Sequence, residues 1–175
     1  MSEEILGRLA ALLRSQGGLM ADLVDPSAMV NGGSSQAASP AFLAAAGPRA
    51  AGHREDYELL VEAIYEGYLL HYETPRVVRP PEADLGLLAG DQLYALGLAR
   101  LVALGDVAAV GVLADVITLT ALAQGAGDRE MALAAWAAGA RAVGWGSSDA
   151  YDRAKALAWA GAPEALEAMR TSAEA

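Results

Sequence analysis

Cysteine is missing altogether, which removes disulfides and thiolate chemistry and leaves the redox compartment open. Histidine is nearly missing: His53 and His71 are the whole supply, too few ligands for a tetrahedral zinc site without thiolates. Clustered Lys and Arg are also lacking. Twelve basic residues are scattered among 22 acidic ones, for a net charge of −10. That balance argues against a nucleic-acid-binding face and against adhesion to an anionic membrane surface. The opening stretch "MSEEILGRLAALLRSQGG" is acidic where a secretory signal is basic, and it has no continuous apolar centre. No apolar run reaches the ~18 to 20 residues of a membrane span without Asp, Arg or repeated Gly intervening. A soluble cytoplasmic protein with no membrane span and no metal of its own is the expectation.

What is present is alanine and other helix formers. The apolar fraction is 54 % of 175 residues, long enough for one good core. Valine, isoleucine, threonine and aromatics are sparse, and apolar spacing is mostly three and four. These features predict an all-α fold, an antiparallel bundle of about six helices. An N-terminal helix is expected within 1–24, covering 3–14. Residues 25–54, rich in Gly, Ser, Pro and Ala, read as a flexible loop with one helical turn around 41–46. The packed core is expected over 55–175. Its first helix starts near Glu55 and must end before Thr74-Pro75, because a residue preceding proline leaves the helical region. "RVVRPPE" (76–82) is an extended connector. Helices follow over 81–104, 107–124, 128–145, 148–160 and 163–171, with Asp128 as an N-cap and Pro163 in a first turn.

One helix carries an anomaly. In "DLGLLAGDQLYALGLARLVALGD" (84–106), at about 100° per residue, Asp91 falls inside the arc of Leu87, Tyr94, Leu98, Leu101 and Val102. A buried carboxylate is the expectation, accepting hydrogen bonds from a neighbouring helix or paired with an arginine such as Arg100 or Arg141, and Asp115 is read the same way. Beside the arc, Gly86, Gly90 and Gly97 form a narrow stripe. Glycine inside a helix costs about 1 kcal/mol relative to alanine, so three on one side predict a closely packed neighbouring helix. Asp149 and Asp152 are placed to cap a helix start. Trp136, Trp145 and Trp159 are candidate core or interface anchors.

The helix from Glu55 ends in "VEAIYEGYLLHYE" (61–73), where Tyr65, Tyr68, His71 and Tyr72 either line a polar pocket or are half-buried aromatics with wet hydroxyls. Taken with "LGLLAGDQLYALGLARLVALGD", this text resembles the core of the trans-isoprenyl diphosphate synthases. That family opens its first aspartate-rich motif with Glu-x-x-His-x-x-x-Leu-x-His-Asp-Asp. Glu62, Leu69 and His71 match it, Tyr65 replaces the first histidine, and Gly90-Asp91 match the family's Gly-Asp pair. Tyr72 and Glu73 stand where the paired aspartates would be, and Arg76 where the third would be. No Asp-Asp pair occurs anywhere in the chain.

The resemblance therefore implies a degenerate, isoprenoid-synthase-like member without catalytic residues. It would be a non-catalytic subunit that partners a catalytic polyprenyl diphosphate synthase and shapes product length. Magnesium would enter only through that partner. Ligand-lining candidates are Tyr65, Tyr68, Leu69, His71, Tyr72, Leu87, Asp91, Tyr94 and Leu98, and Gly86, Gly90 and Gly97 are helix-interface candidates. Two alternatives stand beside this one. One is a homo-oligomer that binds an apolar or prenyl ligand in its bundle. The other is an active synthase whose atypical magnesium site draws on Glu62, Glu66, Glu73, Asp91 or Asp115.

Overall fold

The computed structural model describes residues 2–27 and 39–174; the centre of the expected loop, residues 28–38, lies outside them. Among the described residues the chain is all-α. Nine helices occur: α1 (Ser2–Gln16), α2 (Gly18–Asp22), α3 (Pro40–Ala46), α4 (Arg54–Tyr72), α5 (Ala83–Ala103), α6 (Val107–Gly125), α7 (Arg129–Trp145), α8 (Asp149–Trp159) and α9 (Ala165–Glu174). Six of them are longer than ten residues; of the short pieces, α9 falls on the helix expected over 163–171 and α3 on the turn expected at 41–46, and α2 alone had no counterpart. The capping chemistry accounts for the ends. Asp106 accepts from Ala109 N at 3.0 Å, Asp128 from Met131 N at 2.9 Å and Ser148 from Tyr151 N at 3.2 Å, each occupying an orphan first-turn donor. Gly105, at φ 81°, reverses the chain between α5 and α6 where other residues would be strained.

Two apolar clusters form around α4. One joins α3, α4, α6, α7, α8 and α9 through Tyr68, Leu113, Val116, Trp136 and Met169. The other joins α1, α2, α4 and α5 through Leu9, Leu13, Met20, Ala63 and Leu93, and includes Val77 and Val78 of the connector. The connector is tied down by an isolated antiparallel bridge between Val24 and Val78. Asp25 adds an ion pair to Arg79 at 2.8 Å. Hydrogen bonds from Ser27, and then Arg79, hold the Asp25 carboxyl down at about 2.

The described part of the 25–54 segment is more ordered than its composition suggests. The turn expected at 41–46 is α3, and a 3-10 turn follows at Pro48–Ala50. Ala41, Ala44, Ala45 and Ala50 are buried. A Cβ on Gly47 would lie 2.1 Å from Gly144 O, so the end of α3 rests directly on the backbone of α7.

The glycine stripe does mark a close neighbour, and that neighbour is α4. A Cβ on Gly90 would sit 3.1 Å from Gly67 O and 2.6 Å from the His71 ring, and one on Gly97 would sit 2.4 Å from Ile64 Cγ1. The stripe is therefore the centre of the buried face of α5, together with Ala89, Leu93 and Leu101. This corrects the reading of Asp91. Its arc is centred about 100° away from the stripe, and its side chain is 69 % exposed. Leu87 and Val102 on the same arc are exposed as well. By length and composition α5 and α6 each suffice to cross a membrane, although only 33 % and 39 % of their apolar windows is buried inside the protein. Core helices of soluble proteins meet the same criterion.

The fold predicts opposite outcomes for two glycine substitutions. Gly97→Ala gains about 1 kcal/mol of helix propensity but drives a methyl into Ile64 and Leu60 O, for a net loss of about 1–2 kcal/mol. Gly7→Ala meets nothing within 4 Å and should stabilise by about 1 kcal/mol. Urea midpoints decide the matter, and a stabilised Gly97→Ala would contradict the backbone contact.

Candidate functional site: a charge cluster and an aromatic seam on α4

Glu62 and Glu66 are one turn apart on α4, and both are fully buried. Burial of two carboxylates is costly unless each is paired and hydrogen-bonded. Both conditions hold. The Arg76 guanidinium donates to Glu62, and its Nε lies 3.4 Å from Glu66 Oε2. Ser39 Oγ donates to Glu62 Oε2 at 2.6 Å. Glu66 Oε1 accepts three consecutive backbone donors, Arg76 N at 2.7 Å, Val77 N at 2.6 Å and Val78 N at 3.2 Å. Burial pushes the Glu66 carboxyl above the ordinary range, opposed by Arg76 and by those amides. Arg76 also lies over the Tyr65 ring, 5.1 Å from its centroid.

Beside this cluster runs an aromatic seam. Tyr65 and Tyr68 stack at 5.8 Å, and both meet Trp136 of α7 edge-on, at 5.0 and 5.7 Å. Tyr68 continues to Tyr72 at 5.5 Å. His71 stacks on Tyr94 at 5.3 Å with planes 2° apart. Gln124 donates to Tyr68 Oη at 2.7 Å. Burial raises the hydroxyl pKa of Tyr65, Tyr68 and Tyr94. These phenols stay protonated at neutral pH and are suited to donating hydrogen bonds, not to taking protons. His71 Nε2 lies 3.1 Å from Asp91 Oδ1 without making a hydrogen bond.

Of the ligand-lining candidates, Tyr65, Tyr68, His71, Tyr72 and Tyr94 are brought together in the seam. Leu69 is buried below it and Leu98 is partly buried. Leu87 is 44 % exposed, at the surface. Asp115 accepts a hydrogen bond from a neighbouring helix, one of the two expectations: Lys155 Nζ of α8 donates to its Oδ2 at 3.0 Å. Asp149 and Asp152 fall in the first turn of α8 as expected, where Ser148 is the cap. Trp136 is a core anchor, whereas Trp145 and Trp159 are 37 % and 48 % exposed.

Sequence reasoning passed over Ser39, and it treated Arg76 as an isolated charge. The available signal was the pairing of two glutamates on the apolar stripe of α4 with the first cation beyond Pro75. It named Glu73 but passed over its partner: Glu73 Oε1 accepts from Arg129 Nε at 2.7 Å.

The magnesium chemistry of the prenyl synthases does not fit these residues. Such ions need several convergent carboxylates with free oxygens. Here Glu62, Glu66 and Glu73 are taken up by Arg76, Arg129 and backbone amides, and Tyr72 and Arg76 are not ligands. Among the described residues no three acidic or histidine side chains converge on a cation site. Concavities of about 240 Å³ lie elsewhere, one around Arg8 and Phe42 and one beside Trp145 and Tyr151. A third concavity, of about 450 Å³, lies over Gly52, His53, Arg54 and Asp56, also away from the seam.

The site thus belongs to an all-α protein whose buried charges are compensated internally. Compared with models of known protein families, with curated proteins and with solved structures, the chain matches none.

Removing the cation tests the cluster. Arg76→Ala strands two buried carboxylates and should cost about 3 kcal/mol. Glu66 then titrates still higher in the folded state than in the unfolded chain. The folded state therefore holds the extra proton, and stability falls as pH rises through that raised value. Urea midpoints of the variant should be closer to wild type at about pH 5 than at about pH 8. A pH-independent loss below about 1 kcal/mol would show that Arg76 is an ordinary surface pair.

Proposed function

We propose that this chain works by association and performs no chemistry of its own, as a non-catalytic helical subunit. One observation carries the reading. Two of the three positions at which the resembling enzymes hold their metal, Glu73 and Arg76, carry groups engaged within the chain: Arg76 with Glu62 and Glu66, and Glu73 with Arg129. A second observation supports a docking face. Tyr72, Leu87 and Leu88 are 39 %, 44 % and 62 % exposed, at the end of α4 and the start of α5. Exposed aromatic and aliphatic side chains over a rigid base are the usual anchors of an interface.

The resemblance in α4 and α5 suggests the partner class, a catalytic polyprenyl diphosphate synthase. In that role the chain supplies an apolar wall that alters product length, and the magnesium and the carboxylates come from the partner.

The test is an assay of the purified chain with an allylic diphosphate, isopentenyl diphosphate and magnesium, alone and mixed with candidate synthases. No turnover is expected alone, and a changed product length is expected in the mixture, lost on Leu88→Asp. Turnover by the chain alone would overturn the non-catalytic reading. If no synthase binds or changes its products, the partner assignment fails.

A further inference from the structure

Most basic residues of this acidic chain are matched by a carboxylate: Arg8, Arg49, Arg76, Arg79, Arg129, Lys155 and Arg170 each form an ion pair. Among the described residues, Arg54, Arg100, Arg141 and Arg153 form none. Arg54, Arg100 and Arg153 are exposed, where water solvates the charge. Arg141, in the last turns of α7, is half-buried. A cation withdrawn from water without a counter-charge is costly, and in a chain with 22 acidic residues a carboxylate would have been easy to supply.

Arg141 lines a concavity of about 240 Å³ bounded by α7, the turn at 146–148, α8 and α9. No acidic side chain lines it. Asp149 and Asp152, in the first turn of α8, are exposed. Asp152 is already engaged, by Ser147 at 2.9 Å and Lys155 at 3.2 Å. Tyr151 also lines the concavity; it is 2 % exposed and its buried hydroxyl has no hydrogen-bond partner.

We infer that this concavity binds a small oxyanion, a carboxylate or phosphate group, with two of its oxygens on the Arg141 guanidinium. The donors decide the chemistry. Arg141 Cζ lies over the Trp145 ring, 4.1 Å from its centroid, so the indole holds the guanidinium without consuming an N–H. Arg141 donates no hydrogen bond to any described residue, which leaves its planar fork free for bidentate contact. Ser148 Oγ accepts from Tyr151 N at 3.2 Å, and its own proton goes to no described residue, so it can donate to the same anion. The other two serines are spent. Ser147 donates to Asp152, and Ser172 to Met169 O at 2.8 Å. A lining with free donors, one unmatched cation and no carboxylate suits an anion and repels a cation.

The inference uses no residue of the α4–α5 surface assigned above to a catalytic partner, and either can fail without the other.

The experiment is a titration of the nitrogen-15-labelled full chain with sodium phosphate, and separately with sodium acetate, against sodium chloride at matched ionic strength. Matching removes plain screening from the comparison. The Trp145 indole proton and the Ser148 amide are the reporters. Both are expected to shift saturably with phosphate, acetate or both, at a midpoint of about 1–10 mM, and not with chloride. Arg141→Gln should weaken that binding at least about tenfold, read at Ser148. Arg153→Gln, an exposed arginine on α8, should leave it unchanged.

Circular dichroism checks the fold of each variant. Should Arg141→Gln fail to fold, Arg141→Lys keeps the charge and loses the fork, and it should weaken binding at least about threefold. Shifts that never saturate, or that chloride reproduces, overturn the inference. So does saturable binding that neither Arg141 variant alters.

Discussion

The guanidinium of Arg76, set between the buried carboxylates of Glu62 and Glu66, is the contact on which the rest of this structure depends. Two carboxylates one turn apart in the middle of a packed helix cannot remain there alone, because each loses several kcal/mol of hydration. Their compensation comes from outside α4: a side chain and three amides of the connector, and the hydroxyl of Ser39 just before α3. The pairing therefore fixes where the chain goes after α4. The connector must run back along that helix, which brings Val78 to its bridge with Val24 and anchors the α1–α2 segment. It also determines where α5 can start. The same requirement holds Ser39 against α4, so that α3 is delivered into the groove between α4 and α7.

Given that frame, the close fit of α5 on α4 follows from what is missing at three positions. Gly67 and Gly90 face each other across the interface and Gly97 receives Ile64, so the two backbones come together with almost no side chain between them. The bulk that would otherwise fill this seam is displaced to its flanks. On one side it forms the Tyr65–Tyr68–Trp136 arrangement, and on the other the exposed row of Leu87, Asp91 and Val102. One choice of small residues thus accounts both for the tight core contact and for the apolar surface on α5.

Much of this was legible in the residues. The cap at Asp128, the stop before Thr74-Pro75 and the turn at 41–46 follow from local chemistry that tertiary contacts do not override. The glycine stripe correctly announced a neighbouring helix. What misled was the habit of placing the buried face under the largest apolar side chains. On α5 that rule put Asp91 inside, whereas burial is centred on the glycines because backbone, not side chain, meets the neighbour there. The partners of Glu62 and Asp115 were hidden for a different reason. Ser39 and Lys155 are 23 and 40 residues away in sequence, and no periodicity reports a pairing across a fold. The close packing of α3 on α7 was hidden by composition, since Ala, Gly and Pro suit a loose loop and a tight backbone-on-backbone contact equally well.

The central claim is that Glu62 and Glu66 of α4 are structural, held by Arg76, Ser39 and the connector amides. Carbon-detected NMR of the Glu62 and Glu66 carboxyl groups during a magnesium titration tests it most directly. Saturation of any ordinary carboxylate site is complete by millimolar metal. The account predicts that both signals stay fixed through that range, with the Arg76 Nε proton slow to exchange. Saturable movement of either carboxyl signal, with faster exchange at Arg76, would mean that metal displaces the arginine, and would contradict it.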